Sequence, residues 1–388
     1  MEAGPRPLAY LDNNATTQPD PRVVDAMLPL LREHYGNASS LHQFGAAVGA
    51  QVEQARSHVA RLIAARESEI VFTSGGTESD NLALRGTLAA RPDRRHVVIS
   101  AIEHHAILEP AEALRREGVE VTLVGVDSDG RLDLDQLTVA IRDDTAIVSI
   151  MLANNETGAI FPVREVADLA RKRGAVVHSD AVNALGKIDV NVADLGVDLL
   201  SLSAHKIHGP KGCGALYIRR GVSLRPQQLG GPQEQNRRGG TLNAPAIVGL
   251  GVACELLAGD CAPAREMVRV AALRDRLESA LLARVPGAVA IAAAGPRLPN
   301  TSCICFPGVA SEAVLLLLSE TGICASSGAA CSSGSLEPSH VLQAMGLDPV
   351  LAQGQVRFSL SRMTTDAEVD AVFERLPGIL RRVAATAV

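Results

Sequence analysis

The sequence predicts an α/β protein built on a mostly parallel sheet that helices cover. Short runs rich in β-branched and aliphatic residues alternate with longer stretches whose apolar residues recur every three or four positions. Strands separated by helical stretches favour βαβ units, in which a helix connects two parallel strands. A change in the sequence pattern after about residue 260 predicts a second, smaller α/β unit.

The elements follow in chain order. Helical stretches lie at 22–35 (RVVDAMLPLLREHY) and 46–65 (AAVGAQVEQARSHVARLIAA). The seven predicted strands are EIVFTS (69–74), HVVIS (96–100), VEVTLVGV (119–126), TAIVSIML (145–152), AVVHSD (175–180), LLSLSA (199–204) and GALYIRR (214–220). The last strand follows closely on its predecessor, which favours an antiparallel orientation because a parallel crossover needs a dozen or more residues.

Two domains are expected from the 388 residues. Beyond residue 260 a long helix rich in arginine and leucine leads to SCICFPG and then to a mixed α/β tail. We expect a large domain over 16–260. Residues 1–15 and 261–388 are expected to form the small domain.

Charge and composition narrow the class of protein. The net charge of −6 does not favour nucleic acid or an anionic membrane as the main partner. The start of the chain lacks the apolar run of a signal peptide, and the aliphatic run at 313–318 is too short to span a bilayer. Seven cysteines without a CxxC pair argue against a disulfide framework. We therefore expect a cytoplasmic protein.

Lysine is unusually scarce. The chain has 33 arginines but only four lysines, which are Lys172, Lys187, Lys206 and Lys211. Lysine can lose its proton and form a Schiff base, whereas arginine stays protonated. Each of the four lysines is therefore a candidate for a Schiff-base role that arginine could not fill.

Two motifs follow the first two predicted strands, where ligands bind in open α/β sheets. In FTSGGTESDNLAL (72–84), a glycine turn opens a helix whose free N–H groups could bind a phosphate, although an ordinary capped helix has the same pattern. In IEHHAIL (102–108), His104 and His105 come just after a strand. Surface or core histidines are common there, and no metal-binding spacing accompanies them.

Two further motifs end later strands. Asp180 in HSDAVNALGK (178–187) is either a helix cap or a buried carboxylate that would pair with a cation. In SLSAHKIHGPKGCGALY (201–217), Lys206 follows an apolar strand among small residues, which makes it a candidate for a lowered pKa. Lys211 lies in the turn and is expected to be solvated. Together the four motifs suit pyridoxal 5'-phosphate (PLP), which needs a Schiff-base lysine and an aspartate partner for its ring nitrogen.

The sequence resembles the NifS/IscS-like cysteine desulfurases, which are class-V aminotransferases of the fold-type I PLP enzymes. YLDNNATT, FTSGGTESDN, NNETG, HSDAV, SAHKIHGPKG and SSGAACSSGSLEPSHVL occur in the family's order, between residue 10 and the RFSLSR at 357–362. The resemblance makes the large domain the PLP-binding domain. It places the catalytic cysteine on a loop of the small domain at about 325–336.

The resemblance also implies roles for individual residues. Lys206 holds PLP as a Schiff base, His104 stacks on the ring and transfers protons, and Asp180 pairs with the ring nitrogen. The implied phosphate ligands are Gly76, Thr77, Ser203, His205 and, from a second subunit, Thr241. Asn155 and Arg357 hold the substrate carboxylate, and Asn155 also contacts the cofactor. No metal is implied.

Cys331 is the implied nucleophile. The family converts L-cysteine to L-alanine and leaves the sulfur on the catalytic cysteine as a persulfide, from which an acceptor such as an iron–sulfur scaffold takes it. Cys331 stands among serine, glycine and alanine, a composition that favours a flexible tether for a thiol that must reach two places. The resemblance implies a homodimer.

Three positions depart from the family. Asn183 stands where relatives have a glutamine that contacts the phenolic oxygen of PLP, and Pro232 and Leu242 replace a histidine and a glutamate. Two alternative functions are open: a selenocysteine lyase or other PLP enzyme of the same fold, such as an aminotransferase, and an iron–sulfur scaffold. An aminotransferase would not need Cys331, and a scaffold would need clustered cysteines.

Overall fold

A computed structural model describes residues 8–328 and 338–386. Its strands are β1 Ala9–Tyr10, β2 Ile70–Thr73, β3 His96–Ser100, β4 Glu120–Val124, β5 Thr145–Ser149, β6 Val176–Asp180, β7 Leu199–Ser203, β8 Gly214–Ile218, β9 Val289–Ala290, β10 Thr301–Cys305, β11 Ile323–Cys324 and β12 Gln355–Ser359. Its helices are α1 Pro21–Arg32, α2 Gln43–Leu62, α3 Gly76–Ala90, α4 His105–Arg116, α5 Leu134–Ala140, α6 Val163–Arg171, α7 Val192–Leu195, α8 Gln233–Asn236, α9 Ala244–Ala258, α10 Pro263–Arg284, α11 Ser311–Glu320, α12 His340–Ala344, α13 Pro349–Ala352 and α14 Asp366–Thr386.

The main sheet has the strand order β2-β8-β7-β6-β5-β3-β4. Neighbouring strands are parallel except at β8, which is antiparallel to both β7 and β2. The predicted fold class is therefore confirmed, including the antiparallel last strand. β4 lies at the edge and is half-exposed, whereas the other strands of this sheet are buried along their length.

Helices cover both faces of this sheet. Along β3, Val97 and Ile99 pack into a cluster with residues of α3 and α4, whereas Val98 belongs to a cluster that includes α2, α6 and α9. Successive side chains of a strand point to opposite faces, so an apolar strand of this kind needs a cover on each side. This explains why the strands are apolar throughout instead of alternating.

A second group of strands lies outside the main sheet. β9, β10 and β12 form an antiparallel sheet, and β1 pairs in parallel with β11. Residues of β1, α10, α11 and α14 share a hydrophobic cluster with this sheet. The domain boundaries near residues 15 and 260 stay a prediction.

No single helix in the described ranges is long and apolar enough to cross a membrane. Only α9 and α10 taken together meet such a test of length and composition, and this pair is bent by 82° at its break.

Candidate active site

The four strand-end motifs meet at one edge of the main sheet. β2, β3, β6 and β7 are parallel to one another, so their carboxyl ends share that edge. Gly76 opens α3 after β2, His104 precedes α4 after β3, Asp180 ends β6, and Lys206 follows β7 by three residues. Residues that are up to 130 positions apart in the sequence are thereby neighbours.

Four predicted phosphate ligands line one open cavity at the amino end of α3. The cavity has a volume of about 390 Å³, and the four are Gly76, Thr77, Ser203 and His205. The first N–H groups of a helix have no partner within it and carry the positive end of its dipole. The buried hydroxyl of Ser203 makes no hydrogen bond to any residue in the described ranges. This set of donors is suited to an anion.

Charged side chains surround the same cavity. Lys211 is exposed, as expected, but it also lines the cavity, a contribution that sequence reasoning missed. Glu78 lines it too and is paired with Arg238 at 2.8 Å. Burial opposes ionisation of Glu78, but hydrogen bonds from Arg238 and Ser74 hold its pKa below the usual value. Because Arg238 neutralises Glu78, this pair adds no net charge, and Lys211 makes the cavity lining positive.

His205 is uncharged at neutral pH. Burial, together with the positive charges of Lys206, Lys211 and Lys187, lowers its pKa to about 4. Its Nδ1 lies 3.2 Å from the hydroxyl of Thr16. The ring therefore contributes a neutral hydrogen-bonding group to the cavity.

Asp180 ends β6 with its carboxyl group almost buried. The backbone N–H of Val182 donates to its Oδ1 at 2.8 Å. Burial raises the pKa of Asp180 to about 6, although that hydrogen bond and the charge of Lys206 oppose the rise. A cation placed against this carboxylate would stabilise its charged form, as a protonated ring nitrogen would.

A buried polar layer lies behind Asp180. The ring nitrogens of His178 lie 2.8 Å from the Ser149 hydroxyl and 2.9 Å from the Ser201 hydroxyl. Burial lowers the pKa of His178 to about 3. Burial, and then the charge of Asp180, raises the pKa of Asp80, whose carboxyl lies 3.5 Å from His178. Burial thus favours the neutral forms of His178 and Asp80, whereas the charge of Lys206 favours the ionised form of Asp180.

His104 caps helix α4 through its ring. Its Nδ1 accepts a hydrogen bond from the backbone N–H of Ala106 at 3.1 Å. Burial, and then the charges of Lys206, His105 and His340, lower its pKa to about 4. A neutral imidazole with an acceptor at Nδ1 carries its proton on Nε2. His104 at neutral pH therefore presents an N–H donor.

Lys206 follows β7 in a short 3-10 turn, half-buried. Its Nζ donates to the backbone carbonyls of Asn14, at 2.5 Å, and Ala15, at 2.9 Å. Neither contact involves a carboxylate. Two backbone carbonyls thus orient the amine, and its charge also acts on the Asp180 carboxyl.

Asn14 connects Lys206 to the second sheet. Its side-chain Oδ1 accepts hydrogen bonds from Lys187 Nζ at 3.1 Å and Asn300 Nδ2 at 3.0 Å. Its Nδ2 donates to the carbonyl of Asn155 at 3.0 Å and to the Thr301 hydroxyl at 2.9 Å. Sequence reasoning did not single out Asn14, although it lies in the YLDNNATT motif.

Asn183 is held by Lys187, a buried lysine. Lys187 Nζ donates to the backbone carbonyl of Asn183 at 2.8 Å and to its side-chain Oδ1 at 3.2 Å. Burial, and then the charges of Lys206 and Arg357, lower the pKa of Lys187 well below its ordinary value. The scarcity of lysine pointed to Lys187, but only the structure shows what it contacts. With Oδ1 occupied, the Nδ2 of Asn183 is the end of the amide that faces away from Lys187.

Arg357 lies buried on β12 beside Asn155. Its Nη1 donates to the carbonyl of Asn155 at 3.0 Å, and its Nη2 pairs with Asp12 at 2.7 Å. Its Nε has no hydrogen bond within the described residues. The structure therefore brings the two predicted substrate ligands together and adds Asp12, which sequence reasoning missed.

Two predicted site residues remain, Cys331 and Thr241. Cys331 lies outside the described residues. Thr241 is exposed and does not line the cavity at α3, and the expectation that it acts from a second subunit stays a prediction. The described cysteines are Cys213, Cys254, Cys261, Cys303, Cys305 and Cys324. Burial raises the thiol pKa of Cys213 to about 12 and also raises that of Cys324, so neither is a thiolate at neutral pH.

Within the described ranges, no group of three or more histidine, cysteine, aspartate or glutamate side chains could hold a metal ion.

Comparisons with known proteins identify the family of this chain. The aminotransferase class-V family model matches residues 9–372. A cysteine desulfurase of Nostoc sp. (strain PCC 7120) is 51% identical over 383 residues, covering 97% of this chain and 94% of the relative. A NifS-like protein structure superposes with a TM-score of 0.90 at 40% identity, covering 96% of this chain and 99% of the other. A structure of SspA in complex with cysteine gives 0.81 at 33% identity, covering 92% and 100%. The chain therefore belongs to the class-V aminotransferase family, in its NifS-like cysteine desulfurase group.

Proposed function

We propose that this protein is a PLP-dependent cysteine desulfurase of the sulfurtransferase type (EC 2.8.1.7). It converts L-cysteine to L-alanine and transfers the sulfur to Cys331 as a persulfide. The observation that carries the proposal is the meeting of the Lys206 amine, the Asp180 carboxylate and the anion cavity at one sheet edge. The cysteine in the SspA structure supports L-cysteine as the substrate.

The residues of this edge fit PLP. The Ser203 hydroxyl, which has no hydrogen-bond partner among the described residues, and the amino end of α3 suit a phosphate. The buried Asp180 suits a protonated ring nitrogen, and Lys206 supplies an amine for the aldehyde. The amide of Asn183, three residues after Asp180, is the proposed contact to the phenolic oxygen. Bound PLP supplies the electron sink that makes a substrate carbon acidic. His104, as a neutral ring, can lie against the cofactor without adding charge.

The chain's own residues bind and orient the substrate. Arg357 has donors beyond those that Asp12 and Asn155 use, and these can hold the cysteine carboxylate. The neutral His104 ring can donate a hydrogen bond from its Nε2–H in this tautomer.

The transfer of sulfur from the substrate thiol to the Cys331 thiol balances in atoms and electrons. The Cys331 thiolate attacks the substrate sulfur, a sulfur–sulfur bond forms, and the substrate carbon–sulfur bond breaks. The carbon takes up a proton and leaves as alanine. No external oxidant is needed, because the sulfur becomes more oxidised as the carbon becomes more reduced.

The remaining parts of the proposal concern partners. We infer a homodimer in which Thr241 of a second copy reaches the phosphate, a cytoplasmic location, and an acceptor such as an iron–sulfur scaffold. Nucleic acid and membranes are not part of the proposal. A selenocysteine lyase would share most of these residues, but the relatives' names favour cysteine as the substrate.

The test is production of alanine and persulfide from L-cysteine. Wild-type protein should form alanine and carry one extra sulfur on Cys331, located by mass spectrometry. Cys331→Ala should keep the visible PLP band and its response to cysteine but form no persulfide. Sulfur found on Cys324 would contradict the role of Cys331, and equal turnover in the Cys331→Ala variant would favour an aminotransferase or lyase.

A further inference from the structure

Glu156 follows Asn155 in the NNETG motif. It is buried, and its backbone N–H donates to the Asn154 side chain at 2.9 Å, which fixes it next to Asn155. Its carboxylate Oε2 accepts a hydrogen bond from Ser339 at 2.5 Å, a length typical of a hydroxyl bound to a carboxylate. The Nε2 of Gln355 lies 3.4 Å from the same oxygen.

Ser339 lies just after the segment 329–337. Its hydroxyl caps α12 by accepting from the backbone N–H of Val341 at 3.1 Å while it donates to Glu156. The neighbouring His340 contacts the carbonyl of Glu103 at 3.0 Å, beside His104. The chain that leaves the segment is therefore fixed to two places in the active site.

Gly328 lies just before the same segment and is buried. A Cβ at Gly328 would overlap the carboxylate of Glu156 and the amide of Gln355. Two residues earlier, Ser326 exchanges backbone hydrogen bonds with Arg357, at 3.2 and 2.7 Å. The chain that enters the segment thus packs on the same carboxylate that holds its exit.

We propose that Glu156 is a positioning residue: it anchors both ends of the segment that carries Cys331. This inference rests on the proposed function. Cys331 is three positions after Gly328 and eight positions before Ser339 in the sequence. Fixed ends raise the effective concentration of the thiol near the substrate.

The proposal predicts which step depends on the anchor. Releasing one end should slow sulfur transfer to Cys331 without changing how the substrate binds, because Arg357 and Lys206 are not touched. Loss of a hydroxyl–carboxylate bond is expected to slow that step about tenfold. Gly328 is closer to Cys331 in the sequence than Ser339 is, so a change at Gly328 should slow persulfide formation more.

The experiment compares Ser339→Ala and Gly328→Ala with wild-type holoenzyme. Single-turnover mixing with L-cysteine gives the rate of persulfide formation on Cys331 by mass spectrometry. The cysteine-induced change of the visible band gives substrate affinity. Both variants should slow persulfide formation about tenfold or more and leave affinity within about twofold. In the double variant, the rate of persulfide formation should fall by less than the product of the two single-variant factors, since the two sites share Glu156.

Two controls separate this role from a structural one. Ser302→Ala removes a similar hydroxyl–carboxylate bond, of 2.7 Å to Glu278, in the second sheet, and should leave the persulfide rate unchanged. Ser339→Thr keeps the hydroxyl and should restore the rate. A wild-type rate in Ser339→Ala, or equal slowing in Ser302→Ala, would overturn the inference alone. Wild-type protein that forms no persulfide would overturn the proposed function as well.

Discussion

The edge of the main sheet and the junction between residues 12–14 and the second sheet are built in different ways. At the sheet edge, each functional side chain lies within a short motif that follows a strand. At the junction, Asp12 pairs with Arg357 and Asn14 with Thr301 across roughly 290 to 345 positions. The residues proposed to bind the cofactor are thus encoded locally, whereas those proposed to bind the substrate depend on tertiary contacts between distant segments.

Replacing Lys206 should have the largest effect. Lys206→Arg keeps a positive charge but cannot form a Schiff base, so alanine production should fall at least about 10³-fold. Lys211→Arg is the matched control because Lys211 needs only its charge in the cavity, and it should keep most of the activity. Activity of the Lys206→Arg variant near that of Lys211→Arg would contradict the assignment.

Glu103 tests the buried layer at the sheet edge. Its Oε1 accepts from Ser100 at 2.6 Å and from the backbone of Met151 at 2.8 Å, and burial raises its pKa to about 8. A carboxyl group whose folded pKa is raised gives stability that is complete below its unfolded value, near 4.5, and lost as pH rises through the folded value. The free energy of unfolding of wild type relative to Glu103→Gln should therefore fall by a few kcal/mol between about pH 4.5 and 8.

Urea titrations of both proteins across this range measure that difference. The buried histidines titrate alike in the two proteins and cancel in the comparison. A difference that stays constant with pH would mean that Glu103 is ionised in the folded state.

The contrast between the two regions also explains which site residues could be predicted from the sequence alone. Strand ends and their motifs pointed to Lys206, Asp180, His104 and the anion cavity, because parallel strands end at one edge whatever the rest of the fold. Asp12 and Asn14 were missed, since no local pattern shows which distant strand they meet. Lys187 stood out in composition alone, and its hold on the Asn183 amide depends on how the turn after β6 packs.

Replacing Arg357 should break the junction selectively. A lysine side chain at this position could not reach both Asn155 and Asp12, because an ammonium lacks the planar fork of a guanidinium. We expect Arg357→Lys to raise KM for cysteine about tenfold while the bound PLP content is unchanged. Equal loss of PLP and of substrate affinity would show that the junction serves the cofactor as well.

The smallest effect is expected at Asn183, where the two regions meet through Lys187. Glutamine is one methylene longer than asparagine, about 1.5 Å, and would bring an amide N–H closer to the phenolic oxygen of PLP. A hydrogen bond to the deprotonated form favours that form. The pKa of the visible PLP band should therefore be lower in Asn183→Gln than in wild type. An unchanged or higher pKa in pH titrations would mean that Asn183 already makes this contact or does not face PLP.

The most direct test of the central claim is to identify the lysine that holds PLP. Borohydride reduction of the wild-type holoenzyme fixes PLP to its lysine, and peptide mapping by mass spectrometry then locates it among Lys172, Lys187, Lys206 and Lys211. We predict that the label lies on Lys206, at the carboxyl edge of the main sheet. Label on Lys187 or Lys211 would contradict the assignment of the active site.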